Sequence, residues 1–308
     1  MNQIFRYTGY SKQAFHQKLD RMLLEREQEL LLLPIIVELR AEHPGVAARQ
    51  LYLILKPEGI GRDRFERLCF DNGFKLEKVR SWHRTTDSSG VIRFPNLVLG
   101  MEFSGVNQCW VSDITYYQIG ERFYYLTFIL DHYSRMIVGH SVSKYLLTEQ
   151  TTLPALQEAL VSRKPGPGLI FHSDGGGQYY CKSFLKLTQA HQIKNSMCDA
   201  AYENPYAERI NGTIKNQYVK GYKPKDFNEL IRDTARAIYN YNYIRPHKSL
   251  NKRTPAVFEN QMSADGSSSM NDNFCNFGNT IERQQKNHHS SMTTTIKTVK
   301  KRSTYFRH

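Results

Sequence analysis

Three acidic residues stand where an ordinary surface carboxylate is not expected. Asp113 interrupts the otherwise uncharged, β-branched and aromatic run WVSDITYY, and aspartate is seldom buried without a partner. Asp174 follows the short apolar run LIFH and precedes Gly175, Gly176 and Gly177. Glycines let a backbone pass close to a bulky ligand, although a plain turn aspartate would carry the same signature. Glu208 lies in a helix that Asn204 can cap and Pro205 can begin. Along that helix Ala207, Ile210, Ile214 and Tyr218 share an apolar stripe, and Glu208, Asn211 and Lys215 fall on the stripe beside it. A carboxylate and a lysine on one face suit a metal ion next to a phosphate backbone; they also suit a solvated charged face. Taken together the three acids point to phosphodiester chemistry. That chemistry needs cations to offset charge on the transferring phosphoryl group and to activate the attacking oxygen, a task two divalent ions about 3.5–4 Å apart perform. Mg²⁺ prefers oxygen and keeps several waters, so two or three carboxylates suffice as its protein ligands, with Mn²⁺ as a substitute. No His/Cys cluster competes for a softer metal.

The bulk composition agrees with a polyanionic partner. The chain has 308 residues, 42 Lys+Arg against 29 Asp+Glu and a net charge of +13, which favours nucleic acid first and an anionic membrane surface second. With 40% hydrophobic residues, the chain as a whole is not expected to be disordered. Its longest apolar run, Leu30 to Val37, lies between Glu29 and Glu38 and is far too short to span a bilayer. The first residues, MNQIFRYTGYSK, contain no apolar segment of the kind a signal peptide needs. The five cysteines are an odd number without a CxxC pair. These features predict a protein of a reducing cytoplasm.

The elements that must position the acids read in two blocks. Residues 1–83 are helical: Gln13 to about Glu42, where Pro34 starts a new helix or kinks a long one; Val46 to Leu55; and Arg62 to Asn72, stopped by Gly73 as a left-handed cap. Three short helices with tight turns fit a helix-turn-helix DNA reader with Arg62, Arg64 and Arg67 turned to DNA, and fit equally a plain helical bundle with a solvated arginine face. Residues 84–104 read as a linker. Residues 105–262 change character: strands over Trp110–Tyr117, Phe123–Leu130 and Met136–Val142, a helix over 148–162, a short strand Leu169–His172, a helix Ser183–His191, a strand Ile193–Met197, and helices Asn204–Tyr218 and Phe227–Tyr243. That order predicts an α/β fold, an RNase H-like mixed sheet flanked by helices. Residues 263–308 are basic, polar and rich in Ser, Thr, Asn and Gln, the composition of a mobile tail.

The motifs WVSDIT, DHYSR, FHSDGGGQY, ENPYAERINGTIK and YNYIRPHKSL occur in a fixed order from about residue 105 to 258. The series resembles the integrase-core transposases of bacterial insertion sequences, most nearly the OrfB product of two-frame elements, relatives of retroviral integrases. The resemblance implies an Asp-Asp-Glu site with Asp113, Asp174 and Glu208 as catalytic metal ligands, and Lys215 as a contact to DNA ends. It implies DNA strand cleavage and strand transfer by a homo-multimer on DNA, in the bacterial cytoplasm beside the nucleoid, with an upstream-frame OrfA protein as a possible companion. Gln178, Asn204, Arg245 and His247 are further candidates for DNA contact, and His172 for a supporting role. Two departures stand out. The 33 residues between Asp174 and Glu208 are fewer than is common in the family, and Glu203 stands where an aspartate is usual. Glu208 is preferred over Glu203 because Lys215 follows it two turns on. Asp131, in DHYSR, is assigned to a turn between strands. Two other classes share these residues: a nuclease on the same fold that cuts without joining, and a DNA-binding protein with a retired core.

Overall fold

The computed structural model describes residues 11–76, 94–198 and 204–265. They fall into two compact units, one formed by residues 11–42 with 47–75, the other by 43–46, 76 and 94–265. The segment 77–93, Glu203 and the tail beyond 265 lie outside the described residues.

The smaller unit is built from α1 (Lys12–Glu42), α2 (Ala48–Leu55) and α3 (Arg62–Asp71). Pro34 neither starts nor ends a helix; it sits within the continuous α1. Leu32, Ile35, Ile36 and Leu39 recur at helical spacing and are buried, as are Leu51, Phe65 and Leu68. Each buried Leu, Ile or Phe contributes roughly 1.5–3 kcal/mol. Gly73 takes φ +79°. Gly73 N–H donates to Phe70 O (3.2 Å) and Phe74 N–H to Cys69 O (2.9 Å), the paired bonds that close a helix on a left-handed residue.

In the larger unit β1 (Cys109–Ile119), β2 (Arg122–Asp131) and β3 (Ile137–Ser143) form an antiparallel meander, and β4 (Ile170–Ser173) and β5 (Lys194–Met197) extend it. The strand order is β3-β2-β1-β4-β5, with β4 parallel to β1 and β5 parallel to β4. Three antiparallel strands followed by two parallel ones, with crossover helices, make an RNase H-like mixed sheet. The apolar run of β2 is buried throughout from Leu126 to Asp131, as a strand covered on both faces must be. Helices α4 (Thr152–Arg163) and α5 (Lys182–Ala190) supply Ala155, Leu156, Ala159, Leu160 and Phe184 to a core that includes Trp110, Ile129, Val138 and Phe171. Gly139 permits this packing: a side chain there would overlap the Ala155 carbonyl and the Ala159 methyl.

Helix α6 (Pro205–Gly212) continues through a π-helical stretch, Thr213–Val219. The apolar stripe read from the sequence is the buried one: Ala207, Ile210, Ile214 and Tyr218 are each 2% exposed or less. Helix α7 (Phe227–Tyr239) likewise widens into π turns over Asn240–Ile244, earlier than the single helix to Tyr243 expected. The last helix, α8 (Pro255–Asp265), is absent from the sequence reading and crosses the boundary placed at 262. Its signal was present: Thr254 Oγ1 accepts from Val257 N–H (3.2 Å) and Pro255 occupies the first turn. The Arg163 guanidinium clamps α8 to α4 by donating to both Glu259 oxygens at 2.6 and 2.8 Å.

Candidate active site

Parallel pairing of β1 with β4 aligns the two aspartates. Val111 lies opposite His172, and two residues further on each strand direction come Asp113 and Asp174. Asp113 faces an environment with little water and another negative charge. Burial, and next the Asp174 carboxylate, push its carboxyl up to about 7, with Glu208 adding a smaller rise. Two hydrogen bonds oppose the shift: Ile114 N–H donates to Asp113 Oδ1 (2.8 Å) and Asn211 Nδ2 to Asp113 Oδ2 (2.8 Å). Burial also raises the Asp174 carboxyl, against a bond from Gly176 N–H to Oδ1 (3.1 Å). Gly175 after it takes φ +74°, a conformation that side-chain-bearing residues rarely adopt, and a side chain there would also displace the Met197 thioether.

Helix α6 lies along β1 on this side. Asn211, one turn beyond Glu208, reaches Asp113, and Lys215 Nζ donates to Thr115 Oγ1 (3.0 Å) and Tyr116 O (3.3 Å). Asn211 and Lys215 therefore follow Asp113 and Thr115 along β1, with Glu208 one turn before Asn211, as their shared stripe anticipated. Glu208 itself is exposed at the rim. Among the described residues no three His, Cys, Asp or Glu side chains already form a closed metal cage: the aspartates are paired, and Glu208 stands next to the pair without closing on it.

The donor set fits a hard dication. Its atoms are carboxylate oxygens, two of the groups repel one another, and a cation between them would relieve the repulsion that raises Asp113. Asn211 Oδ1 is buried and has no hydrogen-bond partner, one more oxygen turned inward at the same place. Two supporting residues escaped the sequence reading. Asn211 was placed on the right stripe but given no role. Tyr179, in the GQYY run, is buried beneath the acids, its hydroxyl 3.0 Å from Ser112 Oγ, and burial and both aspartates push its pKa well up. Removing the Asn211 amide leaves the Asp113 carboxylate less favoured. Asn211→Ala is expected to lower activity at pH 7 roughly 10–100-fold, as loss of a group orienting a metal ligand does, and to move the acid limb of the pH–rate profile upward. An unmoved limb would mean that Asn211 only packs.

The remaining candidates divide. Gln178, partly exposed, donates Nε2 to Leu146 O (3.3 Å) beside the Asp174 loop. His172 is buried, with Nδ1 2.9 Å from Ser196 Oγ. Asn204 stands at the N-cap position but does not cap; its Nδ2 donates to Ser112 O (3.0 Å) instead, because the side chain is drawn into the space beside β1. Asp131 is more than a polar turn residue: it is fully buried, Oδ1 accepting from Tyr133 and Ser134 N–H and Oδ2 from Asn107 N–H (2.6 Å), which fixes it as the turn's anchor. Arg245 and His247 both lie in the larger unit, far along the chain from the acids, Arg245 buried and His247 packed on Tyr241 at 4.5 Å. In the helical unit Arg64 is committed to Glu29 (2.9 Å) and the Glu25 carbonyl (2.7 Å), Arg62 pairs with Asp63, and Arg67 is exposed.

An RNase H-like sheet with one aspartate within central strand β1 and another directly after its parallel neighbour β4 marks a polynucleotidyl-transferase type of protein. The integrase core domain matches residues 104–202, and a second integrase core domain description matches 189–255. The chain is 31% identical over 269 residues to an uncharacterized 31 kDa protein of insertion element IS600 from Shigella sonnei, covering 83% of this chain and 97% of that one. It is 29% identical to a putative transposase of element IS986/IS6110 from Mycobacterium tuberculosis, covering 73% and 85%. It is also 34% identical to the InsF transposase of IS3fB from Escherichia coli, over 51% of this chain and 56% of that protein. The chain belongs to the integrase-core transposases of bacterial insertion sequences, enzymes whose DNA cleavage is metal-dependent. No helix among the described residues is long and apolar enough to cross a membrane.

Proposed function

We propose that this transposase frees a 3′-hydroxyl at the end of its element and joins it to target DNA, using Mg²⁺ held by Asp113, Asp174 and Glu208. The observation that carries the reading is a carboxylate pair with no ion-pair partner among the described residues: in a chain of net charge +13, burial and next the Asp174 carboxylate raise the Asp113 carboxyl, and Asn211, from the helix that carries Glu208, reaches it (2.8 Å). Bound there, a pair of Mg²⁺ ions, for which Mn²⁺ would substitute, supplies Lewis acidity and a more acidic water or hydroxyl. Asp113 and Asp174 would hold the ions from the sheet and Glu208 would complete the set from α6. Asn211 favours the ionised form of the Asp113 carboxyl and fixes its orientation. Lys215, whose ammonium is destabilised by burial and by Lys220, gains a counter-charge when a DNA phosphate enters. No side chain becomes covalently attached to DNA, so none of the tyrosines is assigned as a nucleophile. Arg62 and Arg67 of the helical unit, and Gln178, would add contacts to DNA, and the basic surplus supplies affinity that falls steeply with salt. Joining two ends needs a homo-multimer, and an upstream-frame OrfA protein would act with it, in the cytoplasm. Labelled element ends incubated with a target plasmid and Mg²⁺ test the reading. Joined product is expected; cut ends without joined product would make the protein a nuclease.

A further inference from the structure

We propose that Arg135 and Arg245 form a seat for one backbone phosphodiester of the bound DNA, at the Cys109 end of β1 beside the first turn of α6. The inference rests on the DNA-acting reading above and adds a site to it.

Arg245 is 9% exposed, and its Nε and Nη1 are buried without a hydrogen-bond acceptor; Nη1 of Arg135 is in the same condition. Guanidinium groups are rarely buried unless paired. Among the described residues no carboxylate forms an ion pair with Arg135, Arg209 or Arg245. Asp131, four residues before Arg135, spends its oxygens on the N–H groups of Asn107, Tyr133 and Ser134. The two arginines act on the same neighbours: the charges of both bear on Tyr241 and on His247. His132 and His247, each pushed down to about 4 mainly by burial, are neutral at pH 7 and offer no counter-charge. The surroundings are built to hold a guanidinium in place. Arg135 lies 3.8 Å over the Tyr206 ring, His132 packs edge-on to the same ring at 4.4 Å, and Arg135 itself takes φ +64°, a conformation few non-glycine residues adopt. Tyr206 is in the first turn of α6, whose N-terminal end favours an anion. Asn204, before it, bonds the carbonyl of Ser112, the residue preceding Asp113. The unpaired positive charge thus sits at the Cys109 end of β1, beside the first turn of α6, with Arg135 the more accessible member.

A seat that reads only the backbone is tested with any short DNA duplex. The affinity of the full chain is measured over a series of NaCl concentrations. Arg135→Gln is expected to weaken binding and to reduce the log–log salt slope by about 0.9, the change for one lost phosphate contact, while Arg135→Lys keeps the slope. Arg245→Gln should do the same; should it fail to fold, the Arg135 pair still decides. A wild-type slope in Arg135→Gln overturns the proposal. So does a melting temperature raised by inorganic phosphate in the wild type and not in Arg135→Gln with the DNA slope unchanged, which would assign the seat to a free anion. Failure of the wild-type chain to join DNA would refute the proposed function and leave the slope measurement standing on its own.

Discussion

Asp113→Asn is expected to abolish both cutting and joining while DNA binding persists. The substitution keeps shape and removes the charge that would hold a cation against β1. A metal ion supplies several kcal/mol of charge stabilisation to a transferring phosphoryl group, and about 1.4 kcal/mol corresponds to tenfold in rate, so the expected loss is roughly a thousandfold or more. Binding should survive because the proposed phosphate contacts, on Lys215, Arg135 and the helical unit, do not include Asp113. Cleavage and strand-transfer assays beside a binding titration read the two apart. Unchanged activity in Asp113→Asn would fit a protein whose core has been retired.

The same substitution is expected to make the metal-free protein more stable. An Asp113 carboxyl raised to about 7 from an ordinary value of 3.8 means that, between these values, the native state holds a proton the unfolded chain has released. Stability then falls as pH rises across that window and levels off above it. At about 1.4 kcal/mol per unit the strain is at most a few kcal/mol. Asparagine cannot ionise, and Asn211 can turn its unpartnered Oδ1 toward the new amide. The melting temperature of Asp113→Asn should therefore match the wild type near pH 4 and exceed it at pH 8 by several degrees. Mg²⁺ should close the gap by stabilising only the wild type, since a ligand bound to the native state adds stability by mass action. A gap that does not widen with pH, or that Mg²⁺ leaves open, would show that Asp113 is not charged against its neighbours. Such a cost is what a site kept for function, at the expense of stability, displays.

What the sequence made legible was local or periodic. The meander was readable because β1 and β2 carry β-branched and aromatic runs separated by Gly120, and the buried stripe of α6 because Ala207, Ile210, Ile214 and Tyr218 repeat at helical spacing. The α1–α3 helices and the Gly73 stop followed from composition and one glycine. The candidate site was legible as residue types in ordered motifs, and the Glu208–Asn211–Lys215 stripe runs along β1 beside Asp113. What escaped depends on partners distant in the chain. Asn204 looked like a cap because its neighbours suit one; the acceptor that captures it is Ser112 O, 92 positions away. Arg64 read as a free cation, yet Glu29 and Glu25 bind it from another helix. Asp131 reads as a turn residue between strands, and the partner that buries it, Asn107 N–H, lies 24 positions away. The π-helical stretches after Gly212 and Tyr239 have no sequence signature of their own; packing selects them. Helix α8 was a miss of a different kind, since Thr254 and Pro255 announce it.

The most direct test of the account is a crystal of the full chain grown with Mn²⁺ and element-end DNA, with the metal located by its anomalous scattering. The account predicts manganese bound by the carboxylates of both Asp113 and Asp174, with Glu208 brought in from the rim. Manganese held elsewhere, or bound unchanged after Asp113→Asn with Asp174→Asn, would contradict it.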